Sequence, residues 1–204
     1  MEGKNKNENI IGPEDLKKMG KFFPVTIPDP VPLMPFAPDK DYIIVLGCSK
    51  TANGDNLTLN KMRSMFGINP EKSEPCFYNQ DWYFNERFAR EKTLRDKWYM
   101  IRKNYKKGSA GKDPKKVVLD ENEALPSAVL TAFVFFAYWF TTGGIALWET
   151  EFLWCLDNDS NRDQIYTGRY RDPIRMNKNG FNIHRHLSIK PNYGIIPVRR
   201  SQKQ

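Results

Sequence analysis

The chain reads as an α+β fold on a twisted antiparallel sheet, and three features predict it. Mixed strands and helices come first and a run of strands follows, the order of an α+β domain. Residues 181–189 alternate apolar and polar side chains with the period of a half-buried strand. The 25 residues from Ala124 to Trp148 carry no charge and hold one long apolar helix. A length of 204 residues suits one domain with an N-terminal extension. Residues 1–40 are expected to be a disordered and proline-rich arm, and 41–204 a single domain.

Residues 1–12 are polar and read as frayed. Pro13, Glu14 and Asp15 can open a short helix through Lys18, ended by Gly20. Six prolines then fall within the 15 residues from Pro24 to Pro38, which fixes an extended path. Phe22, Phe23, Val25, Ile27, Val31, Leu33, Met34 and Phe36 are too many large apolar residues for a plain linker. An arm that clasps its own domain or a second subunit is expected, so a homo-oligomer is one expected partnership.

Asp41–Gly47 reads as a buried strand, and Asn56 can cap a helix from Thr58 to Phe66 that Gly67 stops. Pro75–Tyr78 fits a short strand and Asp81–Lys92 an amphipathic helix. Lys97–Lys103 alternates as a strand. Asn104–Lys116 is a polar loop. Its GSAGKD run lacks the spacing and the Lys-Ser/Thr pair of a phosphate-binding loop.

Ser127–Thr141 is apolar all round, so it must be covered on most sides. It starts at Pro126 and Ser127 and stops at Thr141–Gly144. Ala128–Phe140 spans only about 20 Å, short for a bilayer, so a core helix is expected and no membrane span. Leu147–Leu156 reads as a strand or a helix-to-strand transition, and strands are expected over Gln164–Tyr170, Phe181–Ile189 and Tyr193–Arg199. In the strand 181–189, Phe181, Ile183, Leu187 and Ile189 face one way, with Arg185 an exception; Asn182, His184, His186 and Ser188 face the other.

The net charge is +8, and all of it lies in residues 160–204, which hold ten Lys and Arg against two Asp. These cations interleave with Tyr166, Tyr170, Phe181 and Tyr193, a mixture that serves phosphates and bases or an acidic protein surface. Three widely spaced cysteines, Cys48, Cys76 and Cys155, form no CxxC pair, which excludes a zinc ribbon and makes free buried thiols the expectation. The first residues lack an apolar core of a secretion signal, so a cytoplasmic location is expected. His184 and His186 could share a metal, but a third ligand is not evident and a solvated basic strand accounts for both. The acidic run Asp157–Asp163 lacks the glycine and glutamate of an EF-hand and reads as an Asx turn. Glu149 and Glu151 have no partner visible in sequence. No catalytic signature is present, so no enzyme, cofactor or metal is expected.

An order of short motifs adds a resemblance. LPSA opens the apolar helix at Leu125; Thr142-Gly143-Gly144 and Trp148 follow, then WCLDND from Trp154, YTGRY from Tyr166 and YGIIPVR from Tyr193. Upstream stand CFYNQDWYFNERFA from Cys76 and KWYMIRK from Lys97. Over about residues 40–200 this order resembles the C-type-lectin-like variable proteins of bacterial diversity-generating retroelements and their relatives. The resemblance implies a C-type-lectin-like domain used as a binding scaffold, with diversified ligand contacts near the C-terminal end. Carried onto this chain, those contacts are Tyr170, Arg171, Arg175, Met176, Asn177, Asn179, Asn182, His184 and His186. The chain departs from sugar-binding lectins, because Lys190-Pro191-Asn192 stands where Glu-Pro-Asn would supply a calcium carboxylate.

The expected function is non-enzymatic binding of a protein or other macromolecular ligand, anionic in character, through a basic Asn-, Tyr- and Arg-rich surface. The alternative is a nucleic-acid-binding protein using the same basic region.

Overall fold

The computed structural model describes residues 9–68, 74–172, 179–185 and 188–200. Its elements in chain order are β1 (Ile10–Ile11), α1 (Pro13–Lys18), β2 (Tyr42–Leu46), α2 (Leu59–Phe66), α3 (Arg87–Arg90) and β3 (Trp98–Arg102). Then follow β4 (Glu123–Ala124), α4 (Ala128–Thr141), β5 (Phe152–Asn158), β6 (Gln164–Tyr170), β7 (Gly180–Arg185), β8 (Tyr193–Gly194) and β9 (Val198–Arg199). The architecture is α+β, with two sheets rather than one. The first has the order β1-β2-β3-β9-β4 and the second β7-β6-β5-β8. Both are mostly antiparallel; only β1–β2 and β5–β8 run parallel.

Helix α4 carries the core. Every residue from Ala128 to Ala137 is buried, as an all-apolar helix requires. Phe136 stacks on Phe66 of α2 at 3.9 Å and on Phe77 at 5.0 Å, and Phe133 meets Phe23 at 5.1 Å. Each such ring removed from water contributes about 2–3 kcal/mol of transfer free energy. Ser127 caps α4 by accepting from the Leu130 N–H. A second cap comes from far along the chain: the buried Asp157 carboxylate accepts from the Ala128 N–H at 2.7 Å, and its other oxygen meets Lys92 Nζ at 2.5 Å. A carboxylate at a helix N-terminus also complements the helix dipole. Among the described residues no helix is long and apolar enough to cross a membrane.

Several expectations are corrected. The folded core begins before residue 41. Ile10–Ile11 pair with Ile44–Val45, and Ile11, Leu16, Met19 and Phe23 are buried in the main core. Apolar side chains there bury more surface than fraying would release. Residues 24–38 have no regular element, but they lie on the outer face of the first sheet. The Trp98 indole donates to the Pro32 carbonyl at 2.7 Å, Val25 bridges to Thr51, and Phe36 packs on the core. Val31, Leu33 and Met34 remain exposed.

Asp81–Lys92 is helical only at Arg87–Arg90. Its first half is held instead by tertiary bonds: Arg63 to Asp81, Asn60 to the Phe84 carbonyl, and the Trp82 indole to the Ile183 carbonyl. The cap of α2 is Thr58, which accepts from the Lys61 N–H, whereas the Asn56 side chain accepts from Lys50. Pro75–Tyr78 contributes one bridge, Phe77 to Phe181. The Leu147–Leu156 strand starts only at Phe152, after Trp148 takes a φ of 55°. The segment Tyr193–Arg199 splits: Tyr193–Gly194 belong to the second sheet and Val198–Arg199 to the first.

Candidate functional site: an aromatic cleft on the second sheet

Cross-strand register builds this site. On the second sheet His184, Tyr166 and Trp154 stand directly opposite one another on β7, β6 and β5. One row along stand Asn182, Gly168, Phe152 and Tyr193. Residues paired in this way share one face, and the alternate residues Leu153, Ile165, Thr167, Phe181 and Ile183 are buried on the other. Period-two alternation therefore sends the aliphatic groups and Phe181 to α4, and the Tyr, Trp, His and amide groups outward.

The outward face forms its own aromatic cluster. Trp154 meets Tyr166 edge-on at 5.2 Å, the Tyr166 and Tyr193 rings are 4.6 Å apart, and His184 lies flat on Tyr166 at 5.3 Å and 4°. The Tyr166 and Tyr193 hydroxyls meet at 3.3 Å. Burial, then the Tyr193 hydroxyl, pushes the Tyr166 phenol well above its ordinary range. Above the cluster opens a cleft of about 490 Å³, a volume suited to a small ligand or a protruding side chain. Tyr78 and Tyr170, 5.0 Å apart, stand on one wall, and Lys190 and Asn192 also line it.

Gly180 closes one end. It takes a φ of 140°, and a Cβ there would sit 2.5 Å from the Tyr78 nitrogen. Only glycine lets residues 76–78 cover the edge of β7; Phe181 N–H donates to the Cys76 carbonyl, and Tyr78 N–H to that of Phe181. On the floor, Asn182 is 4% exposed and its amide oxygen has no hydrogen-bond partner among the described residues. A buried acceptor left unpaired costs about 1–3 kcal/mol.

The arginines here are engaged. Arg169 pairs with Glu74 and with Glu149 and lies over Trp139. Arg171 meets Glu149 at 2.9 Å, so Glu149 does have partners. Arg185, the exception on the apolar face of β7, meets Asp159 at 2.7 Å and covers the Trp82 ring. Asp159 also accepts the Asn161 and Asp163 N–H groups, as an Asx turn does. Burial alone would raise the Asp159 carboxyl; the bonds from Arg185 and the two N–H groups hold it below the usual carboxylate range.

Of the nine expected contacts, Tyr170, Arg171, Asn182 and His184 line this one cleft. Asn179 is spent on structure, its amide oxygen accepting from the Asp172 N–H. Arg175, Met176, Asn177 and His186 lie outside the described residues. His184 is half-buried against Tyr166 rather than solvated, with Nδ1 at 2.7 Å from the Arg185 carbonyl. Tyr166 and Tyr193, read in the sequence as part of the basic aromatic mixture, line the cleft too, as do Lys190 and Asn192. The sequence reading did not single out Tyr78, Glu149 and Phe152 as lining residues. Phe152 and Trp154 on one parity of β5 and Tyr166 and Tyr170 on one parity of β6 were the available signal.

Among the described residues no group of three or more His, Cys, Asp or Glu converges as a metal set. All three thiols are free and buried. Burial pushes Cys48 up to about 12 and Cys76 to about 11, and raises Cys155 further. These thiols are protonated at neutral pH and poor nucleophiles.

No family model matches this chain, and no curated protein or solved structure matches it significantly.

Proposed function

We propose that the protein is a non-enzymatic receptor of C-type-lectin-like type, which binds a macromolecular ligand in the aromatic cleft of the second sheet. The observation that carries this reading is the unpaired amide oxygen of Asn182, buried on the floor of a tyrosine-walled cleft. A ligand N–H or O–H donor would satisfy it. Rigid tyrosines beside adaptable amides are the composition of natural binding loops. The motif order of the sequence supports the same reading, and it makes the residues beyond Tyr170 the diversified ones. The exposed Val31, Leu33 and Met34 supply apolar surface by which the proline-rich arm can join two copies.

Nucleic-acid binding by the basic C-terminal region, residues 160–204, is the weaker reading, because Arg169, Arg171 and Arg185 within it already hold carboxylates. Phosphate binding depends on free cations whose counterions are released.

A displayed library of constrained peptides, selected on the full chain, tests the proposal. Binders are expected to lose at least about tenfold in affinity to Tyr170→Ala and to Asn182→Ala, since a central aromatic contact is typically worth more than 1 kcal/mol. Binders indifferent to both substitutions refute the cleft. Single-stranded DNA that binds at 50 mM salt and is lost at 200 mM would favour the nucleic-acid reading. The retroelement link further requires adenine-rich codons at the varied positions, a near-copy of the segment and a neighbouring reverse-transcriptase gene.

A further inference from the structure

A second cleft lies on the first sheet, and its arginines are not engaged. Tyr42 stands opposite Arg102, and Met100 opposite Arg199, so these four side chains share one face. The Arg199 and Arg102 guanidinium carbons lie 4.4 and 5.8 Å from the centre of the Tyr42 ring. Among the described residues neither these two guanidiniums nor that of Arg200 has a hydrogen-bond or ion-pair partner. The Nε of Arg102 is buried with its donor unused.

This departs from the rest of the molecule. Arg63, Arg169 and Arg185, the other well-packed arginines, each hold a carboxylate. The Tyr42 ring attracts a cation through its quadrupole but carries no net charge. Of the carboxylates near these arginines, Glu123, opposite Arg199 on β4, takes Lys106 Nζ at 2.5 Å and the Asp120 N–H. Asp39 lines the cleft itself and accepts from the Asp41 N–H. Arg199 and Arg200 thus meet in the cleft with Asp39 as the carboxylate beside them, two cations against one anion, while Arg102 shares the Tyr42 ring with Arg199 without lining the cleft.

Arg199 and Arg200 line a cleft of about 380 Å³ whose other wall includes Phe36, Pro38 and Met100. We infer that this cleft is an anion site for a phosphomonoester, with its phosphoryl group on the arginines and its organic group against the apolar wall. Guanidinium forks match phosphoryl oxygens two at a time. A phosphomonoester carries about −1.5 to −2 charges near pH 7, more than a carboxylate brings to Arg199 and Arg200. The apolar wall leaves inorganic phosphate an incomplete ligand. The inference is independent of the receptor reading, which concerns the other sheet.

Phenyl phosphate titrated into the full chain by calorimetry is the test, with inorganic phosphate, phenylacetate and a single-stranded oligonucleotide as separate arms. Saturable one-to-one binding of phenyl phosphate is expected, tighter than either small anion. Arg199→Gln and Arg200→Gln should each weaken it about tenfold, the usual size of a charge-assisted bond. Arg171→Gln, in the other cleft, should leave it unchanged. Arg199→Lys keeps the charge but loses the fork, so it should melt at the wild-type temperature and bind several-fold more weakly. Failure of phenyl phosphate to bind, equal affinity for phenylacetate, or indifference to the Arg199 substitutions overturns the inference. So does binding of the oligonucleotide alone.

Discussion

Two sets of arginines divide this molecule. On the second sheet Arg169, Arg171 and Arg185 are held by Glu74, Glu149 and Asp159. On the first sheet Arg102 and Arg199 lie by the Tyr42 ring and Arg200 joins Arg199 in the neighbouring cleft, none of them ion-paired among the described residues. The difference teaches that local charge density is a poor guide to an available charge. In the basic segment Arg169, Arg171 and Arg185 are spent on architecture, whereas the free arginines include Arg102, from the charge-balanced part of the chain. Where a paired arginine is largely buried, as Arg169 is, losing its partner leaves a buried charge; an unpaired one can be removed at little cost to stability.

The comparison breaks most visibly at Asp159. Asp159→Asn is expected to cost about 2–3 kcal/mol in urea unfolding, the low end for breaking a buried pair because Arg185 is partly exposed. Arg199→Gln should change stability by less than about 0.5 kcal/mol, as a substitution that breaks no bond does. Equal effects of the two would erase the distinction.

Acid titration sharpens the same contrast. The Asp159 carboxyl is held below its ordinary value, so the stability it contributes is complete at neutral pH. That contribution is lost as pH falls through the depressed folded value, below the usual 3.8. The acid limb of a pH–stability curve should therefore be shallower in Asp159→Asn than in the wild type, and unaltered in Arg199→Gln.

Cys76 reports on the pairing of Arg169. Burial, and then the Glu74 charge, raise this thiol, while Arg169 lowers it. In the native protein at pH 8 Cys76 should be silent to a thiol reagent. Glu74→Gln removes one raising charge and leaves Arg169 less neutralised, so labelling should become faster. Unchanged labelling would show that Arg169 finds another acid. The smallest effect is expected from salt. Raising sodium chloride from 50 to 200 mM screens the repulsion among the first-sheet arginines and should raise the melting temperature slightly, less so in Arg199→Gln.

Legibility in the sequence followed the range of the forces involved. Strands β2, β3 and β6 and helix α4 with its Ser127 cap are set by local periodicity and capping, and sequence reading places them well. The early strand Ile10–Ile11 is two residues long and exists only because Ile44 and Val45 receive it. The missing turns of the Asp81–Lys92 helix went to partners such as Ile183, 101 residues away from Trp82. Site residues were half legible for the same reason. Alternation on β7 put Asn182 and His184 on one face, but nothing local could show that Arg169 would meet Glu74 across 95 residues. A charge count has no access to that pairing, so it grouped the engaged Arg169, Arg171 and Arg185 with the unpaired Arg199 and Arg200.

The division of residues 193–199 between the two sheets has a consequence for biosynthesis. Tyr193–Gly194 complete the second sheet, and Val198 and Arg199 bridge β3 to β4 in the first. A ribosome releases these residues long after α4, so the first sheet cannot join β3 to β4, nor the second gain its β8 edge, while synthesis is still short of Arg199. Until then Glu123 and Ala124 have no strand to pair with, and the outward Tyr166 ring lacks Tyr193 beside it. A product cut off before Tyr193 would lack the seam of both sheets together, and degradation rather than partial function is its expected fate.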